Sequence, residues 1–237
     1  MYRTSPWQRR DFLKTYKAKL AGWKEDVACQ CQSEPPRCTC KNYFMRMDKI
    51  VEWMEQRQDG EDVTNLDGLL RELKDKIKSL NTYDPFSSSD HLLKGDNRCV
   101  TVFAILLELG HGELIYTFKF MNVIDKLLEL APNSNLTELR RDLIQRNIPN
   151  ASKIIDEFQD AKWAYYSPSL KLSMERNIDS KSVLPFCRRE RVNGKGGTAS
   201  VFEVRVKEEF ISDPGLAKAL SKSRCIDPVF GQVVSTF

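Results

Sequence analysis

Histidine is scarce in this chain: His91 and His111 are the only two among 237 residues. His111 sits between Gly110 and Gly112 beside Glu113, and no G-x-S-x-G nucleophile motif accompanies the pair. It reads as a satisfied histidine in a helix-linking turn, and His91, after Asp90, as a capping or surface residue. Nothing convergent remains for a hydrolase or an oxidoreductase. Long apolar runs are lacking too. The strongest, Val100-Thr-Val-Phe-Ala-Ile-Leu-Leu before Glu108, falls far short of the ~20 residues that span a bilayer, so it predicts a buried helix. The opening Met1-Tyr-Arg-Thr-Ser-Pro-Trp has no apolar core of the secretory kind. Charge of one sign is absent: 37 basic residues against 33 acidic leave +4, too balanced for a nucleic-acid binder. The cluster Arg188, Arg189 and Arg191 is broken by Glu190 and reads as a solvated strand face or loop. Seven cysteines without an export signal point to a reducing compartment, cytoplasm or nucleus; the shortness of the apolar run points to no membrane partner.

What is present is a globular composition, 41% hydrophobic and 30% charged, with length enough for one large domain or two small ones. The first two thirds carry helical stripes. Ser5-Pro6 is a cap followed by proline, ahead of Phe12, Leu13, Tyr16, Leu20, Trp23 and Val27 at helical spacing. A second stripe runs through Tyr43, Phe44, Met47, Ile50, Val51 and Met54, closed by Gln58-Asp-Gly60. A third uses Leu66, Leu69, Leu70, Leu73, Ile77 and Leu80, and Pro85 bars its continuation. Stripes of this kind predict core packing. Asp96 or Asn97 is expected to cap a helix at 98–109 that Gly110 ends in the left-handed conformation. Short helices follow near 112–121 and 123–130. Asn135 and Asn150 are read as caps of two more, carrying Leu136, Leu139, Leu143 and Ile144, then Ile154, Ile155 and Phe158.

After Asp160 the character changes. Trp163-Ala-Tyr-Tyr-Ser-Pro168 is aromatic and turn-rich, and Ser182 to Phe186 looks extended. Residues 187–193 and 199–207 predict two strands joined by the turn Gly194-Lys195-Gly196-Gly197-Thr198-Ala199-Ser200. Glycines spaced by one residue let a backbone approach a ligand without Cβ obstruction. The stretch resembles the G-x-G-x-x-G-x-V loop over the ATP phosphates of protein kinases. Gly194 and Gly196 match the first two glycines, Ala199 stands at the third, Val201 is the valine, and Thr198 replaces the usual aromatic tip.

Three further stretches are similar to a group of fungal protein-kinase-like proteins in which a helical region precedes a kinase domain. They are Val102 to Ile115, then Phe158-Gln-Asp-Ala-Lys-Trp163 with Tyr166-Ser-Pro168, and Val183-Leu-Pro-Phe186 leading into the glycine turn. The resemblance covers residues 98–210. It implies an ATP site in which the backbone of 194–200 covers the phosphates and Val192 and Val201 contact adenine. The departures matter as much. Where a kinase lobe needs a strand ending in Ala-x-Lys, the sequence has Asp213-Pro-Gly-Leu-Ala217-Lys218, so Lys218 reads as a helical surface lysine. His-Arg-Asp, Asp-Phe-Gly and Ala-Pro-Glu motifs do not occur, so the chain reads as a truncated front fragment without catalytic residues. A hairpin lacking the rest of its lobe is expected to expose unpaired edges.

Cys29-x-Cys31 and Cys38-x-Cys40 put four thiols between the first two helices, with Pro35-Pro36 favouring a turn that brings the pairs together. Four thiolates suit structural Zn²⁺; free thiols or an adventitious disulfide are the alternatives. Cys99, Cys187 and Cys225 are isolated and read as ordinary buried or partly buried thiols.

The expected fold is therefore mainly α: a helical N-terminal domain followed by a short β-hairpin resembling the first strands of a kinase N-lobe. The expected division is 1–90, a helical region with the cysteine-rich loop; 91–180, helices and connector; and 181–237, the partial lobe. The expected function is a protein-kinase-related, ATP-binding glycine-loop fragment behind a helical region that regulates or recruits a protein partner. The alternative is a helical interaction module, with or without zinc, and no nucleotide function.

Overall fold

In the computed structural model the described residues are 11–27, 42–57, 63–80, 90–128, 134–166, 182–184, 186–191, 202–207, 210–211, 213–221, 224–226 and 233–236. The fold is mainly α, and the chain divides into two compact units. One comprises Met1–Lys24 and Arg46–Tyr165; the other comprises Glu25–Met45 and Tyr166–Phe237.

The first unit is helical: α1 (Phe12–Trp23), α2 (Met47–Glu55), α3 (Asn65–Leu80), α4 (Asp90–Leu93), α5 (Val100–Leu109), α6 (Ile115–Phe120), α7 (Ser134–Gln145) and α8 (Ala151–Tyr165). α5 is its axis. Every residue from Val100 to Leu107 is buried, as an all-round apolar helix requires. Gly110 ends it at φ +82°, and the amide of His111 donates to Leu106 at 2.7 Å, closing the last turn. α3 buries Leu66, Leu69, Leu70, Leu73 and Ile77, the expected stripe. Its start is a capping box: the Thr64 hydroxyl accepts from the Asp67 amide at 3.1 Å, and the Asp67 carboxylate accepts from the Thr64 amide at 2.9 Å. Gly68 lets α1 close on α3, since a Cβ there would stand 2.6 Å from the Phe12 ring.

Several boundaries differ from the sequence reading, each for a non-local reason. Ser5 and Pro6 lie outside the described residues; Asp11 is the observed cap of α1, accepting from the Lys14 amide at 2.7 Å. α1 stops at Trp23, and Val27 belongs to strand β1 (Lys24–Val27). Tyr43 and Phe44 belong to its partner β2 (Asn42–Met45), not to α2. The Arg46 amide donates to Trp23 O at 2.9 Å, so strand pairing takes over where the helical stripe was expected to continue. α2 closes at Gln56, before the expected Gln58–Gly60. Neither Asp96 nor Asn97 caps α5. Its first turn is satisfied from afar by Asp125, whose carboxylate accepts from the amides of Thr101 (3.0 Å) and Val102 (3.1 Å). The expected helix at 123–130 is a 3₁₀ turn at Asp125–Leu127, and the one at 112–121 is a 3₁₀ turn leading into α6. Asn135 lies inside α7 and donates across to Asn122 O at 3.0 Å. Asn150 does precede α8, at φ +58°, with its carbonyl accepting from Ile154. Trp163 and Tyr165 continue α8 rather than forming a turn.

The second unit holds β1 and β2 as a two-stranded ribbon, and an antiparallel sheet of β3 (Phe186–Arg191), β4 (Phe202–Lys207), β5 (Arg224–Ile226) and β6 (Val233–Thr236) in the order β3-β4-β6-β5. The expected hairpin is there, with Arg191 paired to Phe202. Its expected bare edge on the β4 side is not: β6 pairs with β4, and β5 pairs with β6. Short α9 (Pro214–Leu220) stands between β4 and β5, capped by Asp213 accepting from the Leu216 amide at 3.0 Å. Val206, Leu216 and Leu220 form a small core, with Phe186, Val204, Phe210 and Ile211 packed against it. Phe44 meets Phe210 edge-on at 4.9 Å.

Candidate functional site

Two sets of predicted site residues lie outside the described residues: Val192, Gly194, Lys195, Gly196, Gly197, Thr198, Ala199, Ser200 and Val201 of the glycine turn, and the quartet Cys29, Cys31, Cys38 and Cys40. What the structure describes is the frame on either side. Pairing of Arg191 with Phe202 draws the two ends of segment 192–201 together at the end of an antiparallel ribbon. The strand beside β4 is β6, whose residues Val233-Val234-Ser235-Thr236 include no lysine. Lys218 stands exposed on α9, a helix where a kinase lobe has a strand.

The remaining candidates resolve as structural groups. His111 Nδ1 is 3.8 Å from Glu113 Oε1, too long for a strong bond, in the turn after α5. The His91 ring lies 5.6 Å from Tyr116, and its carbonyl accepts from Lys119 Nζ at 2.7 Å. Cys99 is buried, and burial pushes its thiol up to about 12, so it stays protonated and unreactive at neutral pH.

A cluster that sequence reasoning missed surrounds Glu108, one residue before the end of α5. Its Oε1 is 3.0 Å from Lys24 Nζ, and its Oε2 accepts from the Tyr165 hydroxyl at 2.8 Å. Beside it the buried Tyr16 hydroxyl donates to Ala104 O at 3.2 Å. Tyr16 packs its ring against Trp23 (5.6 Å) and Trp53 (5.8 Å). Burial, reinforced for Tyr16 by the Glu108 charge and for Tyr165 by Tyr16 and then Glu108, raises both phenols well above their ordinary range. Both therefore act as fixed hydrogen-bond donors, and the cluster braces the ends of α1, α5 and α8. The only signal in the sequence was a single glutamate at the end of an apolar run.

Among the described residues no three His, Cys, Asp or Glu side chains group as a metal site, and no helix is long and apolar enough to cross a membrane. An open depression of about 490 Å³ at the α7–α8 turn is lined by Ile144, Asn147, Ser152 and Lys153 among others, with no acid, base and nucleophile in convergence. No family model, no curated protein and no solved structure matches the chain.

Proposed function

We propose that the second unit is a nucleotide-binding lobe of the protein-kinase kind, in which the backbone of Gly194 to Ser200 covers the phosphates of ATP. The observation that carries this reading is the strand arrangement. Strands β3 and β4 pair on either side of the glycine-rich segment 192–201, and a further antiparallel strand, β6, lies on the other side of β4. A glycine-rich loop of this kind works by bringing amide groups close to phosphate oxygens, which needs small residues at the tip and a strand on each side to hold them. Val192 and Val201, at the two ends of the loop, supply the apolar contacts to adenine. Lys195 adds a positive charge within it.

The lysine that pairs the phosphates in a kinase stands on the strand beside the hairpin. Among the described residues the strand that pairs with the hairpin is β6, which carries no lysine. The activity proposed is therefore binding, resting on loop backbone and Lys195, and phosphoryl transfer is not part of the proposal. Titration calorimetry of the full chain with Mg-ATP tests it. Saturable binding that Gly196→Val abolishes, with the melting temperature unchanged, is the expected result. Equal affinity in both proteins, or no heat in either, removes the site. The function then falls to the helical unit as a protein-binding module, where Phe120 stands 80% exposed at the end of α6.

A further inference from the structure

The chain crosses between its two units three times, and the helical unit's residues at those crossings are Lys24, Arg46 and Tyr165. They are far apart in sequence, yet a short series of bonds, wholly within the helical unit, ties them together. Lys24 Nζ is 3.0 Å from Glu108 Oε1, and the Tyr165 hydroxyl donates to Glu108 Oε2 at 2.8 Å. The Arg46 amide donates to the carbonyl of Trp23, the neighbour of Lys24, at 2.9 Å. One carboxylate therefore links the first crossing to the third, with a separate oxygen for each. One main-chain bond links the first crossing to the second.

The place of Glu108 is unfavourable by itself. It stands in the last turn of α5, where the free carbonyls of a helix disfavour negative charge, directly after the buried run Val100 to Leu107. Its side chain is only 20% exposed, so the carboxylate has lost much of its water and depends on its two donors. A glutamate there weakens α5 as a helix; what it supplies is the pair of ties. Aromatic rings fix the ground on which the ties stand. Trp23 packs against Tyr16 (5.6 Å) and Trp53 (5.8 Å), and the Tyr16 hydroxyl donates to Ala104 O, one turn before Glu108. Each crossing leaves from a helix end: Lys24 follows α1, Arg46 precedes α2, and Tyr165 ends α8. From this convergence we infer that Glu108 is the hub of a clasp that gathers the three crossings and restrains the motion of the sheet unit relative to the helical unit. The inference is independent of the nucleotide reading. The clasp is closed while both donors are bound. Because both ties end on one carboxylate, release of either donor frees the glutamate to turn, and the other tie weakens with it.

The test is NMR relaxation of the backbone amides in the full chain. Order parameters of about 0.85, the rigid-backbone value, are expected at Lys24, Arg46 and Tyr165 in the wild type. Glu108→Gln keeps the shape of the side chain and removes its charge. It should lower all three together to about 0.6 or below, while Val102 to Leu106 keep theirs. The difference between the rotational correlation times of the two units should widen at the same time. Lys24→Met and Tyr165→Phe each delete one tie and keep the bulk of the side chain, so they carry the test where Glu108→Gln fails to fold. Lys24→Met should loosen Tyr165, and Tyr165→Phe should loosen Lys24, crossed effects that separate contacts would not give. Crossings that stay rigid in every variant overturn the clasp. So does loosening confined to the mutated crossing, or a difference in correlation times that does not change.

Discussion

Tyr165 shows how much one side chain decides at the residue scale. Its hydroxyl donates to Glu108 at 2.8 Å in a buried setting, and its proton is held well above the ordinary 10.0. Between pH 10 and the folded value the native state binds a proton that the unfolded chain has lost. The stability from this group is complete below pH 10 and declines as pH rises, by up to about 1.4 kcal/mol per pH unit. Tyr165→Phe should lower stability at neutral pH by about 1 kcal/mol through the lost bond and flatten the alkaline decline. Urea unfolding at pH 8, 10 and 11 measures both; an unchanged alkaline slope contradicts the buried-donor account. The sequence marks Tyr165 only as one aromatic in a turn-like run. Its partner Glu108 lies 57 positions away, a pairing that no local pattern encodes.

At the scale of elements, two helices take their first-turn acceptors from other parts of the chain. Glu72 of α3 accepts from the amides of Phe12 and Leu13, and Asp125 accepts from those of Thr101 and Val102. Asp125 also pairs with Arg98 at 3.1 Å, yet burial outweighs its partners and raises its carboxyl above the usual range. Asp125→Ala leaves buried amides of α5 without their acceptor. A loss of about 1–3 kcal/mol is expected in chemical unfolding, with amide exchange faster at Thr101 and Val102 than elsewhere in α5. A loss below about 0.5 kcal/mol would show that water replaces the carboxylate. The contrast with α3 is instructive. Thr64 and Asp67 cap it from three residues apart, as Asp11 and the Lys14 amide do at α1, so those caps are local in sequence; the acceptors supplied by Glu72 and Asp125 are not.

For the whole molecule, the division into units matters most. The helical unit has a large core around α5, and the sheet unit rests on Val206, Leu216, Leu220 and their neighbours. Leu216→Ala should cost about 2–3 kcal/mol, by lost burial and a residual cavity. Hydrogen exchange should then speed up in β3, β4 and β6 while the amides of α5 keep their protection. Equal acceleration in α5 would mean that the units unfold as one. The chain passes between the units at Lys24, Arg46 and Tyr165, so β2 belongs with the sheet unit although it lies between helices in sequence. The change of character after Asp160 marks the crossing at Tyr165, but nothing in the composition marks those at Lys24 and Arg46.

The sequence by itself determined the helical stripes of α3, α5, α7 and α8, the left-handed end of α5 at Gly110, and the β3–β4 hairpin. Each depends on periodicity or on a single residue's allowed backbone, and both are local. Only the tertiary structure decided that Val27, Tyr43 and Phe44 are strand residues, that β6 lies beside β4, and that Glu72, Asp125 and Glu108 serve distant groups. Short apolar runs satisfy helical and strand spacing alike, and a hydrogen-bond acceptor can come from any part of the chain that packing brings near. Strand partners and borrowed caps are therefore settled by what folds against what.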